Sequence, residues 1–393
     1  MTRGRKAALS DRELLEHLVG FDSTSRRSNR EIAEFVADYL ERSGCRVLLH
    51  DYDDGAKCNL FASRGAESSA AAALLLSGHL DVVPAEEPGW ESAPFILAQR
   101  DGRFFGRGTA DMKGFCALAI NRIANLVDDD LSRPLSLLLT ADEELGSLGA
   151  QAFVRDHPGV PLARDAIIGE PTGLRVVRMH KGHLKLRLRI SGKAAHSGYP
   201  HLGSNAIEPA AGIVAALAEL AHEWTRVRTT VSEHFPDCPH PVLNIATIHG
   251  GSALNIVPDA CEIGLGIRLL PGQASNAALA EIEALPARVS TSAGGQVELE
   301  TINDSPPMLC PADAAIDRVL AELTGQRDTL GVSFASDAGV LHSAGVHSVL
   351  FGPGRIEDAH RANESLDIAE WRRAGPLLER VIDVFCREDS DAD

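Results

Sequence analysis

The segment LSLLLTADEELGSLG, residues 135–149, joins a mainly apolar run to three consecutive carboxylates. Apolar runs of this length, bounded by polar residues, are typical of strands that are covered on both faces of a sheet. Similar runs lie at 72–77, 165–168 and 346–351. Because helical patterns at 113–127 and 146–155 alternate with these runs, we expect an α/β fold with a mainly parallel sheet and helices on both faces.

Two S-x-x-E patterns near the N-terminus, at residues 10–13 and 28–31, predict helix starts. In such a capping box, the serine side chain accepts a backbone N–H of the first helical turn, and the glutamate side chain accepts the backbone N–H of the serine. The second pattern leads into an apolar helical face that ends at Gly44. We therefore expect two helices before the first apolar run.

The pattern changes at HLKLRLRI, residues 183–190, where apolar residues alternate with cations. Such alternation is typical of a strand with one solvated face. Further helical patterns and strand-like runs follow at 204–222, 242–248, 260–269 and 275–284. We therefore predict an inserted α+β domain at 179–305, between two parts of the first domain at 1–178 and 306–393.

The charge balance restricts the class of partner. The chain has 393 residues, with 38 Lys and Arg against 55 Asp and Glu, and a formal net charge of −17. An acidic chain without a cluster of basic residues repels phosphate backbones and anionic headgroups. Aromatic residues make up only 5%, too few for a base-stacking surface. We expect a small-molecule substrate, with no nucleic-acid partner and no membrane partner.

Cysteine usage and the N-terminal residues bear on the compartment. The seven cysteines are scattered and form no C-x-x-C pair, so they predict neither a zinc ribbon nor a disulfide framework. The segment MTRGRKAALSDRE lacks the apolar stretch of a signal peptide, and AAALLL at 71–76 is too short to span a bilayer. We expect a cytoplasmic protein.

Ionisable residues follow apolar runs or lie in glycine-rich loops in five segments. These are SGHLDVVP (77–84), GRGTADMKG (106–114), DEE (142–144), IIGEPTG (167–173) and FGPGRIEDAHRANE (351–364). Each alone also fits a structural role, such as a helix cap or a solvated turn. GRGTADMKG matches neither common phosphate-binding pattern. Together, two imidazoles and several carboxylates at strand ends predict a zinc site, in which one carboxylate could bridge two ions.

The motifs GHxDVVP, GRGxxDMKG, an adjacent EE pair and a late histidine after a G-P-G loop occur here in that order. In this respect the chain resembles the M20 family of dinuclear zinc amidohydrolases and peptidases over nearly its whole length. The resemblance implies a zinc-peptidase-like catalytic domain and an inserted lid or dimerisation domain. It also implies two Zn²⁺ ions, with Co²⁺ as a substitute, and a homodimer through the inserted domain.

Carried over residue by residue, the resemblance implies the metal ligands. Asp111 would bridge the two ions. His79 and Glu170 would complete one site, and Glu144 and His360 the other.

The resemblance also implies the base and the substrate-binding residues. Glu143 would be the general base that takes a proton from a water shared by the ions, although spacing alone does not choose it over its neighbour. Asp81 would hold the first histidine ligand. His196 would stabilise the oxyanion in the partner subunit's site, while Asn255 and Arg268 would bind substrate, the guanidinium clamping a carboxylate.

Segments 169–197, 240–272 and 351–360 resemble the acetylornithine deacetylase branch of the family, although FASD at 334–337 departs from the Thr-Glu typical there. That branch implies hydrolysis of the amide of an N-acyl-L-amino acid, with N2-acetyl-L-ornithine giving acetate and L-ornithine in arginine biosynthesis. The alternatives are a succinyl-diaminopimelate desuccinylase, another N-acyl-amino-acid deacylase, or a dipeptidase or carboxypeptidase. A non-catalytic binding protein is disfavoured because no ligand and no base is missing.

Overall fold

The structure, a computed structural model, describes residues 8–65, 73–160, 162–288 and 296–387. The chain folds into two compact units. The first unit runs to Met179 and resumes at Met308–Leu330 and from Ser336 onward. The second comprises His180–Pro307 and Gly331–Ala335. The assignment of the second unit as a lid or dimerisation domain stays a prediction.

The helices of the described residues are α1 (Asp11–Gly20), α2 (Arg30–Ser43), α3 (Gly114–Asn125), α4 (Leu148–Asp156), α5 (Ile207–Trp224), α6 (Ser275–Glu283), α7 (Ala315–Thr324), α8 (Asp337–Ser343) and α9 (Ile368–Ile382). The first half of the strands are β1 (Arg46–Tyr52), β2 (Lys57–Arg64), β3 (Leu74–His79), β4 (Ala98–Arg100), β5 (Arg103–Phe105), β6 (Leu135–Thr140), β7 (Asp165–Ile168), β8 (Val177–His180) and β9 (Gly182–Ser191). The remaining strands are β10 (Ala195–His196), β11 (Val242–Gly250), β12 (Ile256–Val257), β13 (Ala260–Leu269), β14 (Val297–Ser305), β15 (Met308–Leu309), β16 (Leu330–Val332), β17 (His347–Leu350) and β18 (Ser365–Asp367).

The central sheet has the strand order β1-β2-β6-β3-β7-β17-β8-β15. Its middle strands β6, β3, β7 and β17 run parallel, and the pairs β1–β2, β2–β6 and β17–β8 are antiparallel. Every residue of β3, β6 and β7 is buried, because their apolar runs are covered on both faces. The predicted α/β fold is confirmed. The antiparallel strand β1 was not predicted, since its exposed edge position leaves a mixed polar pattern.

Helix α3 packs closely against the middle of this sheet. A Cβ atom on Gly169, just after β7, would lie 2.0 Å from the ring of Phe115 in α3. A Cβ atom on Gly78, in β3, would lie 2.7 Å from the end of the Met112 side chain, just before α3. At Gly169 only glycine permits such close approach to the aromatic ring of the helix. Helix α3 therefore packs directly against the strand ends that carry the candidate site.

Of the two predicted capping boxes, the one at Ser10 and Glu13 is confirmed, with both reciprocal hydrogen bonds present. The one at 28–31 does not form as a box, because α2 begins one residue later than such a box requires and Asn29 precedes it, although the Ser28 hydroxyl accepts the N–H of Arg30 at 3.2 Å. The Asn29 side chain does not cap the helix; it exchanges two hydrogen bonds with the backbone of Cys58, at 2.8 and 2.9 Å. Asn29 thus ties the start of α2 to strand β2.

The second unit contains a four-stranded antiparallel sheet in the order β11-β13-β9-β14. The alternation in β9 is confirmed, since its apolar side chains are buried beneath helix α5 while its cations lie on the other face. On that face Arg187 bonds Glu262 at 3.0 Å and Glu300 at 3.3 Å. These pairs join three neighbouring strands.

None of the described helices has both the length and the apolarity that crossing a bilayer requires. The seven cysteines are free thiols. The N-terminal residues 1–7 and the beginning of the 71–76 run lie outside the described residues, so the cytoplasmic location stays a prediction.

Candidate metal centre

The predicted metal ligands of the first unit follow strands that lie side by side. His79 is the last residue of β3, Glu144 follows β6, Glu170 follows β7, and His360 lies in the loop after β17. These four strands are parallel neighbours, so their carboxyl ends meet at one edge of the sheet. Asp111 comes to this edge from the loop between β5 and α3.

Two groups of donor atoms meet at this edge, and they share Asp111. His79, Asp111 and Glu170 form one group, and Asp111, Glu144 and His360 form the other. The donor atoms within each group lie within 4.8 Å of one another. The structure therefore brings together all five residues predicted as metal ligands.

The Asp111 carboxylate turns a different oxygen to each imidazole. Its Oδ1 lies 3.0 Å from Nε2 of His79, and its Oδ2 lies 3.2 Å from Nε2 of His360. The same nitrogen of His360 lies 3.0 Å from Oε1 of Glu144. A carboxylate with one oxygen toward each donor group is placed to serve both groups at once.

The electrostatics of this edge are dominated by crowded carboxylates. Burial raises the pKa of Glu170 well above its usual range, and the Asp111 carboxylate adds to this shift. Burial and then Asp111 likewise raise the pKa of Glu144. Burial also disfavours the charged form of Asp111, but hydrogen bonds with His360 and His79 hold its pKa below the usual range. The carboxylates of such a cluster stay ionised only when cations lie close to them.

The donor set fits divalent metal ions. Hydrogen bonds to Asp111 and Glu144 raise the pKa of His360 to about 10, which reports the strength of the negative field at this edge. Imidazole nitrogen and carboxylate oxygen are ligands that zinc takes in proteins. With three donor residues in each group, a bound zinc ion would keep a coordination position for water or substrate.

Asp81 contacts the site in two ways. Nδ1 of His79 lies 2.8 Å from the backbone carbonyl oxygen of Asp81 and 3.6 Å from its carboxylate. The carboxylate itself accepts the backbone N–H groups of Glu143 and Glu144, at 3.2 and 3.3 Å, and the hydroxyl of Ser25 at 2.7 Å. The shortest contact that orients the imidazole is thus from the main chain, and the side chain holds the acidic turn.

Glu143 lies in the turn directly after β6, between Asp142 and the candidate ligand Glu144. Burial raises the pKa of Glu143 well above that of an exposed glutamate, and the nearby Glu170 carboxylate raises it further. A carboxylate with a raised pKa is a stronger base than an exposed one, which suits proton transfer near neutral pH.

Sequence reasoning missed Glu364, which supports the Asp111 loop. Its Oε1 accepts the backbone N–H groups of Ala110 and Asp111 at 2.9 and 3.1 Å, and its Oε2 accepts that of Gly108 at 2.9 Å. The buried guanidinium of Arg107 lies 3.0 Å from the same carboxylate. In the sequence nothing distinguishes this glutamate from an exposed acid near His360.

The FASD segment, residues 334–337, does not present its acid to solvent. Asp337 is buried at the start of α8, and its carboxylate accepts the hydroxyl of Thr140 at 2.6 Å. Burial raises its pKa to about 6. Ser336 precedes the helix and accepts the N–H of Ala338 at 3.3 Å.

The residues predicted to bind substrate lie in the second unit. His196 is exposed in the short ladder of β10 and β12, and the backbone carbonyl of Asn255 accepts the N–H of Ser197 at 3.0 Å. Arg268 is half-buried in β13, opposite Val242 on the neighbouring strand β11. His196 and Asn255 are therefore neighbours, whereas Arg268 belongs to the four-stranded sheet. Their roles stay predictions.

Comparison with known proteins shows the family of the chain. Residues 75–383 match the model of peptidase family M20/M25/M40. An acetylornithine deacetylase of Pasteurella multocida (strain Pm70) is 35% identical over 362 residues, which cover 92% of each chain. An acetylornithine deacetylase of Myxococcus xanthus is also 35% identical, over 95% of this chain and 97% of the relative.

A crystal structure of an M20 family metallo-carboxypeptidase from Sulfolobus solfataricus has the same fold, with a TM-score of 0.76 at 19% identity over 96% of this chain and 99% of that one. The family match spans both parts of the first unit and the second unit between them. The resemblance drawn from the motifs is confirmed. The chain is a hydrolase that belongs to peptidase family M20/M25/M40.

Proposed function

We propose that this chain hydrolyses the amide bond of an N-acyl-L-amino acid, with N2-acetyl-L-ornithine as the substrate, giving acetate and L-ornithine in arginine biosynthesis. The Asp111 carboxylate shared between two donor groups is the observation that carries the reaction type. The relatives named acetylornithine deacetylase, which cover almost the whole chain, support the choice of substrate.

We assign five residues to two Zn²⁺ ions, for which Co²⁺ could substitute. Asp111 would contact both ions, His79 and Glu170 one of them, and Glu144 and His360 the other. When bound, such ions supply Lewis acidity for the amide carbonyl and for a water molecule. The charge of the ions would also keep the crowded carboxylates ionised.

Glu143 is assigned as the general base. Its carboxylate would take a proton from the attacking water and return it to the leaving amine, which must depart as a neutral or protonated group. The backbone N–H of Glu143 is held by Asp81, whose carbonyl also orients His79. Asp81 would thus fix the positions of both the base Glu143 and the ligand His79.

The three residues of the second unit are assigned to substrate. Arg268 would bind the carboxylate of the amino acid, since its planar guanidinium donates two parallel hydrogen bonds to such a group. Asn255 would donate an amide hydrogen bond to the substrate. His196 would stabilise the oxyanion that forms when the carbonyl is attacked.

We further propose a homodimer through the second unit, in which His196 of one protomer serves the site of the other. The exposed side chain of His196 is available for such a role. Apolar residues around it are also exposed, with Leu254 completely so and Ile256 at 41%. Strand β11 lies at an edge of its sheet and exposes Ile248 at 51%. A cytoplasmic location is proposed with it, in keeping with the free thiols.

Hydrolysis of a matched substrate panel tests the proposed function. The panel contains N2-acetyl-L-ornithine, other N-acetyl-L-amino acids, N-succinyl-L,L-diaminopimelate and dipeptides, with release of the free amine measured on Zn²⁺- and Co²⁺-loaded protein. We expect the highest kcat/KM for acetylornithine. Preference for a succinylated substrate or a dipeptide would contradict the substrate, and hydrolysis of none of them would contradict the reaction.

Metal content tests the shared ligand. Asp111→Asn should lose both ions, because each donor group loses an anionic oxygen, whereas His360→Ala should lose only one. Bound zinc is measured by mass spectrometry after dialysis, with the exposed Asp38→Asn as the matched control that keeps two. Added zinc should raise the melting temperature of the wild type and not that of Asp111→Asn. Retention of both ions by Asp111→Asn would contradict the assignment.

Substitution of the base separates chemistry from metal binding. Glu143→Ala should keep both ions and lose turnover by roughly 10²- to 10⁴-fold, the usual contribution of a general base. The matched control is Glu41→Ala on the exposed face of α2. Turnover of Glu143→Ala at the wild-type rate would remove this residue as the base.

Complementation tests the dimer. Glu143→Ala and His196→Ala proteins should each be nearly inactive, but a co-refolded mixture should regain about a quarter of wild-type activity, because half of the dimers then hold one complete site. Sedimentation measures the oligomeric state in parallel. Fully active monomers, or dimers that fail to complement, would contradict the exchange of His196.

A further inference from the structure

The first of the three consecutive acids after β6 belongs to neither donor group. Asp142 is buried, and its Oδ1 lies 2.7 Å from Nζ of Lys57. Its Oδ2 accepts the hydroxyl of Tyr52 at 3.0 Å. Both oxygens of this carboxylate are therefore engaged away from the metal ligands.

Lys57 is the buried cation at the start of β2. Its ammonium group contacts three oxygens: the Asp142 carboxylate, the carbonyl of Arg27 at 2.8 Å and the carbonyl of Ser25. A lysine ammonium has three N–H donors, so each donor has an acceptor. Satisfied donors and an anionic partner offset part of the desolvation cost of burying this charge.

The same turn is held from its other side by Asp81. That carboxylate accepts the N–H groups of Glu143 and Glu144 and the hydroxyl of Ser25. Ser25 therefore links the two anchors, with its hydroxyl on Asp81 and its carbonyl on Lys57. The acidic turn is fixed both through its main chain and through the side chain of Asp142.

The backbone conformation of Asp142 depends on these side-chain contacts. Its φ of +54° lies in the left-handed region, which aspartate adopts more readily than most residues but which still costs free energy. The bonds to Lys57 and Tyr52 hold the residue in this conformation. The direction in which the chain leaves β6, and with it the position of Glu143, depends on that conformation.

We propose that Lys57 and Asp142 are a pair of positioning residues for the hydrolysis. The cation neutralises the first acid of the trio, which keeps this acid out of the metal-binding set and fixes the turn that presents Glu143. This inference rests on the proposed role of Glu143 as general base. Neither residue touches substrate; both act through the turn.

The test compares kcat and KM of the two-metal holoenzyme for Lys57→Met, Lys57→Arg and Asp142→Asn. Lys57→Met should lower kcat about 100-fold, as expected for a displaced catalytic group, with KM little changed. Lys57→Arg keeps the charge and should restore most of the loss. Asp142→Asn keeps the size and tolerates the left-handed φ, so it should fold and lose kcat in the same direction.

Arg64→Met is the matched control. Arg64 is also a buried cation of β2, at its other end, where it bonds Asp128 at 3.0 Å. Its substitution should lower the melting temperature without lowering kcat per metal-loaded site. Equal losses of kcat in Arg64→Met and Lys57→Met would overturn the positioning role, as would an unchanged kcat in Lys57→Met.

If Lys57→Met does not fold, Asp142→Asn decides the outcome: reduced kcat with two ions bound supports the proposal, and wild-type kcat overturns it. Glu143→Ala is measured in the same series. Wild-type turnover there refutes the base itself. An inactive Glu143→Ala beside a fully active Lys57→Met refutes only the positioning pair.

Discussion

Carboxylates crowd one edge of a buried parallel sheet, and keeping them ionised there is the constraint on which the rest of the first unit depends. Burial raises the pKa of Glu143, Glu144 and Glu170, and each of them feels other carboxylates nearby. Asp111 stays charged because two imidazoles bond its two oxygens. The arrangement is stable only with compensating positive charge, which divalent ions at the two donor groups would supply.

The loops that carry these residues are held by charged side chains from elsewhere in the chain. The Glu364 carboxylate accepts hydrogen bonds from three N–H groups of the Asp111 loop, and the Asp81 carboxylate accepts two from the acidic turn. Lys57 fixes Asp142 at the start of that turn. Side chains bonded to main-chain groups allow loops, rather than regular elements, to present ligands with defined geometry.

The second unit meets a different requirement. Its sheet is buried on one face only, so its strands alternate apolar and charged residues, and Arg187 pairs across strands with Glu262 and Glu300. Such a sheet is stable without a second layer on its charged face. His196 and the apolar residues near it lie outside this sheet and are exposed.

The amino-acid sequence by itself determined the strands and helices with strong periodicity, such as β6 and β7, whose bounds match the apolar runs. Its local motifs also contain the five predicted ligands that the structure brings together in two donor groups. Only the tertiary structure decided how those residues are held. The partners of Asp142, Asn29 and the Asp111 loop are distant in the chain, and a lysine or glutamate that anchors a loop has the same local pattern as an exposed one. Hydrogen-bond partners depend on which segments lie next to each other in the folded chain, and a local sequence pattern does not show which distant segments those are.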